Sequence, residues 1–509
     1  MVRLVTDYLD NVCDVLPDKI ALSEKDRGIS FSDLRRNARS VATGLSERGI
    51  FRRPVAVFLD KGIDMIVSFW GCAYSGNFYS PIDPDMPGAR IKSIFDTLEP
   101  ECVITSPKYV DSVHDIDPSV KIMLYSELEA TVVSEDLLFN VSQATTDKDV
   151  LYVLFTSGST GKPKGVIISH HATISYTEWA SSAFDINSED VLGNQTPFYF
   201  SMSVFDIYQT VSRGCTLEIL PKELFTAPDR MIDYLNERGV NTIYWVPSAL
   251  NIVAKSGILN EKNVDFLRKI LFAGEVMPNS ILNIWRKANG KALYANLFGP
   301  TELTDICTYY VVDRDFSDND PLPIGKACLN TDIMVLDQDD HLILPEDTES
   351  VGELCVRGSI LAYGYYHNSE KTKEVFVQNP LNHVYDEMIY RTGDLVRYNE
   401  YAELMYVGRK DFQVKVSGYR IELGEIETAV SSIPSVRLNC CIFDHIDKLL
   451  ILYYEGDEGK KEIRKQLKDL LPRYMMPHKY IRLDKMPLNA NGKIDRTKLK
   501  EEYFGKVAN

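Results

Sequence analysis

The sequence predicts an α/β protein: a large N-terminal domain of α/β sheets with helices, a β-rich subdomain, and a small α+β C-terminal domain. Three observations predict it. The chain has 509 residues, short apolar runs alternate with amphipathic stretches through most of it, and the pattern changes near residue 320. A chain this long exceeds what one hydrophobic core normally supports, so more than one domain is expected.

PVAVFLD (54–60), ECVITS (101–106), VLYVLFTS (150–157) and NTIYWVPS (241–248) are apolar runs of strand length. Between them, FSDLRRNARSVATGLSERG (31–49) and DRMIDYLNERG (229–239) carry a helical pattern, the second opened by Pro228 and closed by Gly239. Such alternation builds parallel sheets covered by helices. From about residue 320, TDIMVLD, GELCVRG, HVYDEMIYRTGDLVRY and AELMYVGR are short strands broken by Gly and Asp, which places the β-rich subdomain at 320–409. A last unit opens near Asp411. QVKVSGYRIEL is a strand pair, GEIETAVSSI a helix, LNCCIFD and LLILYYEG apolar strands, and KKEIRKQLKDLLPRYMMP a basic amphipathic helix ended by Pro477. The predicted domains are 1–409 and 410–509, the second close to the common domain size.

Apolar residues make up 45% and charged residues 25%, as in ordinary globular proteins. The opening MVRLVTDYLDNVCDVLPDK is too rich in charge for a signal peptide, and no uncharged apolar run is long enough to span a bilayer. No membrane insertion and a cytoplasmic location are therefore expected. The nine cysteines form no CxxC pair and read as buried free thiols. A net charge of −17 argues against nucleic acid, which needs a basic footprint. Residues 411–509 nevertheless carry 18 Lys and Arg against 15 Asp and Glu, a small surplus that suits an acidic partner or means nothing.

LFTSGSTGKPKGV (154–166) is the sharpest local signal. Glycines let backbone N–H groups turn toward a ligand, and hydroxyls and ammonium groups add donors, a chemistry suited to a polyphosphate. It is not a Walker A loop, because Gly158 and Gly161 are too close and Pro163 follows Lys162. A lone Gly-rich stretch is as readily a surface loop. Two lysines and four hydroxyl residues directly after a buried strand favour phosphate.

TSGSTGKPKG resembles the signature loop of the adenylate-forming superfamily, which includes acyl-CoA synthetases, luciferases and nonribosomal peptide adenylation domains. NLFGPTE (296–302), YRTGDL (390–395), GRKDFQVKVSGYRIELGEIE (408–427) and NANGKIDR (489–496) match further motifs in the same order. The resemblance implies that a carboxylate attacks the α-phosphorus of ATP, with Mg2+ present, giving an acyl-AMP and pyrophosphate. Such chemistry is mostly positioning and charge stabilisation. It implies that Thr156, Ser157, Gly158, Ser159, Thr160 and Lys164 hold the β- and γ-phosphates. Asn296, Leu297, Phe298 (where relatives often carry Tyr) and Gly299 would lie at the adenine, and Thr301 at the α-phosphate. Glu302 would be the magnesium ligand, a hard oxygen for a hard cation. Asp394 would accept the ribose hydroxyls, with Arg409 and Tyr406 beside it. Lys493 would bridge substrate carboxylate and α-phosphate as a compact charge with three donors. Outside the motif set, Asp394 and Arg409 read as a structural ion pair, Glu302 as a helix-start residue and Lys493 as a solvated tail lysine. The resemblance further implies a mobile C-terminal domain hinged at Asp411, with the segment around Gly418 coming to line a tunnel for a phosphopantetheine thiol.

SMSVFDIY (201–208), with the preceding PFYF, resembles the acid-binding segment of amino-acid adenylation domains. Together with VPS (246–248) and GEVMP (274–278), it is similar to stand-alone enzymes such as D-alanine–carrier protein ligase. In amino-acid-activating relatives an Asp follows that Phe and binds the substrate's α-ammonium; here the position is Ser201. A buried ammonium without a counter-charge is costly. The other positions implied around the acid are Met202, Phe205, Tyr244, Leu271, Ala273, Leu297, Asp305 and Ile306. Asp305 either pairs with an amine or hydroxyl farther along the substrate, or is solvated or bonded to backbone. The expected substrate is a small carboxylic acid without a conventionally held α-amine: a β- or ω-amino acid, or a hydroxy or aryl acid. D-alanine or another small amino acid fits if Asp305 or a backbone carbonyl replaces the missing contact. No carrier-type serine motif follows Lys493, so a separate carrier protein is the expected acceptor, with coenzyme A the alternative. A P-loop kinase is disfavoured by the loop spacing. A non-catalytic nucleotide- or acid-binding protein on this fold would be expected to lose Lys493, Glu302 or Asp394, and all three are present. Luciferase-like oxidation stays open, since fold does not fix function.

Overall fold

A computed structural model describes residues 2–158, 162–411, 413–487 and 494–507. The chain is α/β, and its described strands assemble into five sheets. It divides into two compact units. The first holds Met1–Pro84, Thr97–Phe155 and Gly165–Lys410; the second holds Asp85–Asp96, Thr156–Lys164 and Asp411–Asn509.

In the first unit a six-stranded sheet runs in the order Ile122–Leu124, Cys102–Thr105, Pro54–Phe58, Phe78–Ile82, Val150–Thr156, Lys164–Ser169. Its middle strands are buried along their whole length, as continuous apolar runs should be. Helix Phe31–Glu47 is started by a capping box between Ser30 and Asp33.

A nine-stranded sheet of the same unit runs Lys326–Ala327, Thr308–Val311, Leu293–Phe298, Lys269–Ala273, Thr242–Trp245, Val191–Asn194, Thr216–Ile219, Ile20–Glu24, Arg27–Ser30. Pairing is parallel from Leu293–Phe298 to Ile20–Glu24 and antiparallel at both edges. The expectation of parallel sheets thus holds for the centre only. A tight turn explains the Ile20–Glu24 and Arg27–Ser30 edge, since two strands joined this way pair antiparallel; at the other edge the chain doubles back after Phe298, with no α-helix to carry it across.

The β-rich part contains Thr331–Leu336, Gly352–Gly358, Phe376–Gln378, Met388–Tyr398 and Leu404–Arg409, all paired antiparallel. HVYDEMIYRTGDLVRY does not break into short strands; Met388–Tyr398 is one strand of 11 residues. Its glycine is absorbed by a register shift between Glu353 and Cys355, opposite Gly393 at φ +73°. Such bulges re-aim neighbouring side chains, and here the neighbour is Asp394.

In the second unit Gln413–Val416 and Tyr419–Glu422 form a hairpin turned at Ser417 and Gly418, both at positive φ. Helix Leu423–Ser431 follows, then Val436–Asp444, Leu449–Gly456 and Lys479–Arg482 in one sheet. The basic helix is shorter than expected, spanning Lys460–Leu467, with a separate short turn at Arg473–Met475. Pro472, with no N–H and a ring that clashes with the preceding turn, stops it well before Pro477. All nine cysteines are buried and free. Among the described residues no helix is long and apolar enough to cross a membrane.

Candidate functional site

Strand Leu293–Phe298 of the first unit delivers Asn296, Leu297 and Phe298, and the chain then reverses sharply. A Cβ on Gly299 would lie 2.5 Å from both the Asp305 carbonyl oxygen and the Ile306 Cα, so only glycine allows the returning backbone this close. After the single turn Thr301–Leu303, Thr304 sits at φ 66°, ψ −55°, and the Asp305 N–H donates to the Leu303 carbonyl at 2.7 Å. This is a γ-turn with positive φ at its centre, a rare and strained form, occupied by a β-branched residue. It is held from outside: Thr304 Oγ1 donates to the Ile360 carbonyl at 2.9 Å, and the Ala362 N–H donates to the Glu302 carbonyl at 2.9 Å. Strain held in this way clusters at functional sites. Here it packs Thr301, Glu302 and Asp305 into one reversal.

Glu302 is fully buried, and its Oε1 accepts the Tyr365 hydroxyl at 2.6 Å. The helix-start reading therefore gives way to a buried carboxylate on a one-turn segment. Thr301 Oγ1 donates to Ser201 Oγ at 3.5 Å, so the turn meets the first residue of the acid segment. Asn296 Nδ2 donates to the Pro323 carbonyl at 2.8 Å, while the Phe298 and Tyr406 rings lie 5.7 Å apart. Asp394 and Arg409 are directly opposed on neighbouring strands, with Arg409 Nη1 donating to Asp394 Oδ1 at 2.8 Å. A cross-strand ion pair is what the structure holds at this place, and the Asp394 carboxylate is aimed by it.

Four of the candidate acid-binding residues, Tyr244, Leu271, Ala273 and Leu297, lie on adjacent parallel strands, with Tyr244, Ala273 and Leu297 toward the C-terminal ends, the usual ligand position in α/β sheets. Tyr244 pairs with Leu271 and Ala273 with Leu297 across that sheet. Ser201 is half-buried; Met202, Phe205, Tyr244, Leu271, Ala273, Leu297, Asp305 and Ile306 are buried. Asp305 is 2% exposed, which rules out the solvated reading. Its Oδ2 accepts the Tyr176 hydroxyl at 2.8 Å and the Tyr244 hydroxyl at 3.0 Å. Burial, followed by the Asp305 charge, holds both phenols well above the usual tyrosine range. Asp206, beside Phe205, accepts Asn194 Nδ2 at 2.6 Å, and burial pushes its carboxyl up to about 7. Burial likewise pushes the Lys61 ammonium down to about 7; it donates to the Gln195 carbonyl at 3.1 Å.

In the second unit, the residues of the 154–166 loop meet the second strand of the hairpin and the helix that follows it. Ser157 Oγ donates to the Arg420 carbonyl at 2.7 Å, and the Gly158 N–H donates to Glu425 Oε2 at 3.2 Å. Lys164 Nζ lies 3.7 Å from Glu422, and Glu425 forms an ion pair with Arg90. Thr156 Oγ1 donates to the Lys164 carbonyl at 3.5 Å. Asp411 Oδ1 accepts the Gln413 N–H at 3.1 Å. Ser159, Thr160 and Lys493 lie outside the described residues. Tyr176, Tyr365 and Arg90 escaped sequence reasoning because they belong to none of the motifs. Glu422 and Glu425 lie inside GYRIELGEIE, where their carboxylates were the available signal.

The buried cluster around Tyr244 and Asp305, with Ser201 bonded to the turn bearing Thr301 and Glu302, belongs to a chain of the AMP-forming acid–thiol ligase class. The chain belongs to the AMP-binding enzyme family, whose model matches residues 9–366. It is similar to D-alanine–D-alanyl carrier protein ligase of Lacticaseibacillus casei (strain BL23), with 31% identity over 98% of this chain and 99% of that protein. It is also similar to Tyrocidine synthase 1 of Brevibacillus parabrevis, with 31% identity over 98% of this chain but only 45% of that longer protein. A mycosubtilin synthase protein of Bacillus subtilis is longer still: the match is 32% identical over 95% of this chain and spans 18% of that protein. Among solved structures, the Vibrio cholerae adenylation domain AlmE in complex with glycyl-adenosine-5'-phosphate matches with a TM-score of 0.84 over 98% of each chain, at 19% identity. The family is adenylate-forming and uses ATP, typically with Mg2+. The buried Glu302 carboxylate fits that metal, being a hard oxygen held in place by Tyr365.

Proposed function

We propose that the protein adenylates a small carboxylic acid with ATP and passes the acyl group to the phosphopantetheine thiol of a separate carrier protein. The observation that carries the reading is the Thr301–Ser201 contact, 3.5 Å between hydroxyl oxygens. It joins the residue assigned to the α-phosphate to the first residue of the acid segment, the juxtaposition that attack on phosphorus needs. In this reading Phe298 and Tyr406 flank the adenine, Asn296 contacts it, and Asp394, aimed by Arg409, accepts the ribose hydroxyls. Glu302 holds Mg2+, which neutralises phosphate charge. Ser157, Gly158, Ser159, Thr160 and Lys164 take the outer phosphates, and Lys493 bridges acid and α-phosphate.

The domain assignment belongs to the same proposal: 1–409 is the adenylation core, and 410–509 is a mobile domain turning at Asp411. The bonds from Ser157 and Gly158 to Arg420 and Glu425 support two alternating uses of the loop, since a triphosphate and Glu425 compete for the Gly158 N–H. Ser201 supports an acid without a conventionally held α-amine, and the small basic surplus of 411–509 suits an acidic carrier.

ATP–pyrophosphate exchange across a panel of acids, with hydroxylamine trapping of the acyl-AMP, tests the first half-reaction. Exchange is expected with at least one small acid and is expected to vanish in Lys493→Ala. Retention of full exchange in that variant removes the catalytic assignment. Offering holo-carrier protein and coenzyme A side by side separates the two acceptors.

A further inference from the structure

We propose that Glu353 is a positioning residue that ties Asp394, the carboxylate assigned to the ribose, to Lys410, the last residue before the turning point at Asp411. The inference rests on the adenylation reading and adds to it the anchor from which the C-terminal domain turns.

Glu353 stands on strand Gly352–Gly358 and is 4% exposed. Its two carboxylate oxygens serve two neighbouring stretches of chain. Oε1 accepts the Gly393 N–H at 3.0 Å, while Oε2 accepts Arg391 Nη1 at 3.1 Å and Lys410 Nζ at 2.9 Å. The bonds to Gly393 and Arg391 hold the bulge. Gly393 sits at φ +73° and the register shifts between Glu353 and Cys355, so a side chain of the partner strand clasps the bulged backbone. Asp394 follows directly. Its N–H donates to Thr392 Oγ1 at 3.0 Å, and its carboxylate accepts Arg409 Nη1 at 2.8 Å. The direction of Asp394 is thus set by the bulge as well as by Arg409.

The bond to Lys410 reaches the end of the first unit. Strand Leu404–Arg409 closes opposite Asp394, and the pairing runs one residue farther, the Lys410 N–H donating to the Gly393 carbonyl at 2.9 Å. Gly393 and Lys410 are therefore joined twice, backbone to backbone and through Glu353. The Lys410 side chain is 47% exposed, and a lysine so placed ordinarily extends into water, because ordering it costs rotamer freedom. Here the ammonium turns onto a buried carboxylate instead. That carboxylate already has a cationic partner in Arg391, which also donates to Asp340 at 2.6 Å. Lys410 adds a fixed last residue. With its N–H and its ammonium both held, rotation of the chain beyond it is left to Asp411 and the residues that follow. One side chain sets both the nucleotide-facing carboxylate and the base of the hinge. A shift of the bulge is felt at Lys410, and the reverse holds by linkage.

The test separates the two attachments. In Glu353→Gln the side-chain amide can accept from Gly393 or from Lys410 but not from both, because its NH2 then faces another donor. Lys410→Met breaks the hinge attachment alone. Amide hydrogen exchange of the full chain without substrates is read first. Lys410→Met is expected to speed exchange at residues 409–411 by about fivefold and to leave 390–395 as in wild type, while Glu353→Gln speeds both. The kinetics should split in the same way, measured with whichever acid supports pyrophosphate exchange. Glu353→Gln is expected to raise KM for ATP by about tenfold with kcat within about twofold. Lys410→Met is expected to leave both values within about twofold and to slow acyl transfer to phosphopantetheine by about fivefold, with Lys410→Arg recovering most of that loss. Unchanged amide exchange at 409–411 in Lys410→Met overturns the anchor. Equal losses in both half-reactions overturn it too, as the mark of a simple fold contact. If Glu353→Gln fails to fold, Lys410→Met decides alone. If no acid supports pyrophosphate exchange in the wild-type protein, the adenylation reading falls, and amide exchange still decides whether Glu353 holds Lys410.

Discussion

Glu425 joins Arg90 to the phosphate-loop backbone. The two side chains form an ion pair, each about 5% exposed, and the same carboxylate accepts the Gly158 N–H. Burial pushes the Glu425 carboxyl up, while Arg90 pulls it back toward the charged form. Removing one partner of such a pair leaves an uncompensated buried charge, at about 3–5 kcal/mol.

If this arrangement belongs to the thioester-forming state, Arg90→Met should separate the two half-reactions. Pyrophosphate exchange is expected to stay within about threefold of wild type, because no phosphate is assigned to Arg90. Thioester formation on holo-carrier is expected to drop about tenfold or more, in line with losing part of that pair energy. Equal losses in both assays would make the pair a simple fold contact.

Tyr365 should tune metal binding through Glu302. Its hydroxyl donates to Glu302 Oε1 at 2.6 Å, fixing a carboxylate that would otherwise rotate. Loss of such an orienting partner typically weakens metal affinity by about 10- to 100-fold. Tyr365→Phe is expected to raise the Mg2+ concentration for half-maximal exchange by about that factor. Mn2+ titration followed by electron paramagnetic resonance should show the same shift.

The Thr304 γ-turn should be sensitive to its outer support. Thr304→Val keeps the shape but removes the bond to the Ile360 carbonyl, leaving a buried acceptor unpaired. A loss of about 1–3 kcal/mol is expected in denaturant titration. Both KM for ATP and KM for the acid should rise, because Glu302 and Asp305 flank the turn. Gly299→Ala is expected to be worse, since its Cβ would meet backbone at 2.5 Å on the returning strand.

Stability should fall in mild acid because of His170. Its Nδ1 accepts the Val5 N–H at 3.3 Å, and burial pushes the imidazole down to about 4 from its ordinary 6.5. Between those values the unfolded chain binds a proton that the folded chain does not, so stability rises with pH across this window and is lost as pH falls through it. The full window of about 2.5 units corresponds to about 3 kcal/mol. Urea titrations at pH 7 and pH 4.5 should show the loss, and His170→Gln should reduce the slope.

Much of the fold was legible. Pro54–Phe58, Cys102–Thr105 and Val150–Thr156 are strands where short, mainly apolar runs rich in β-branched and aromatic residues lie, and helix Pro228–Glu237 starts at its proline. The antiparallel edges of the large sheet were not legible, because edge pairing depends on the length and direction of a connection rather than on the strand's own composition. The bulge at Gly393 was misread as a break for a related reason: a glycine inside a strand looks the same in sequence whether it ends the strand or kinks it. Pro472 was present to be read, but the amphipathic pattern continued past it.

By itself the sequence determined the chemistry on offer: a hydroxyl- and lysine-rich loop after a buried strand, the NLFGPTE and TGDL segments, and Ser201 where relatives place a carboxylate. Those features are local, written in neighbouring residues. Only the tertiary structure decided which groups meet. Tyr176 and Tyr244 reach Asp305 from 129 and 61 residues away, and Arg90 meets Glu425 across 335. No periodicity encodes such pairs; they form because sheet packing buries the carboxylates, and a buried carboxylate must find donors or a counter-charge.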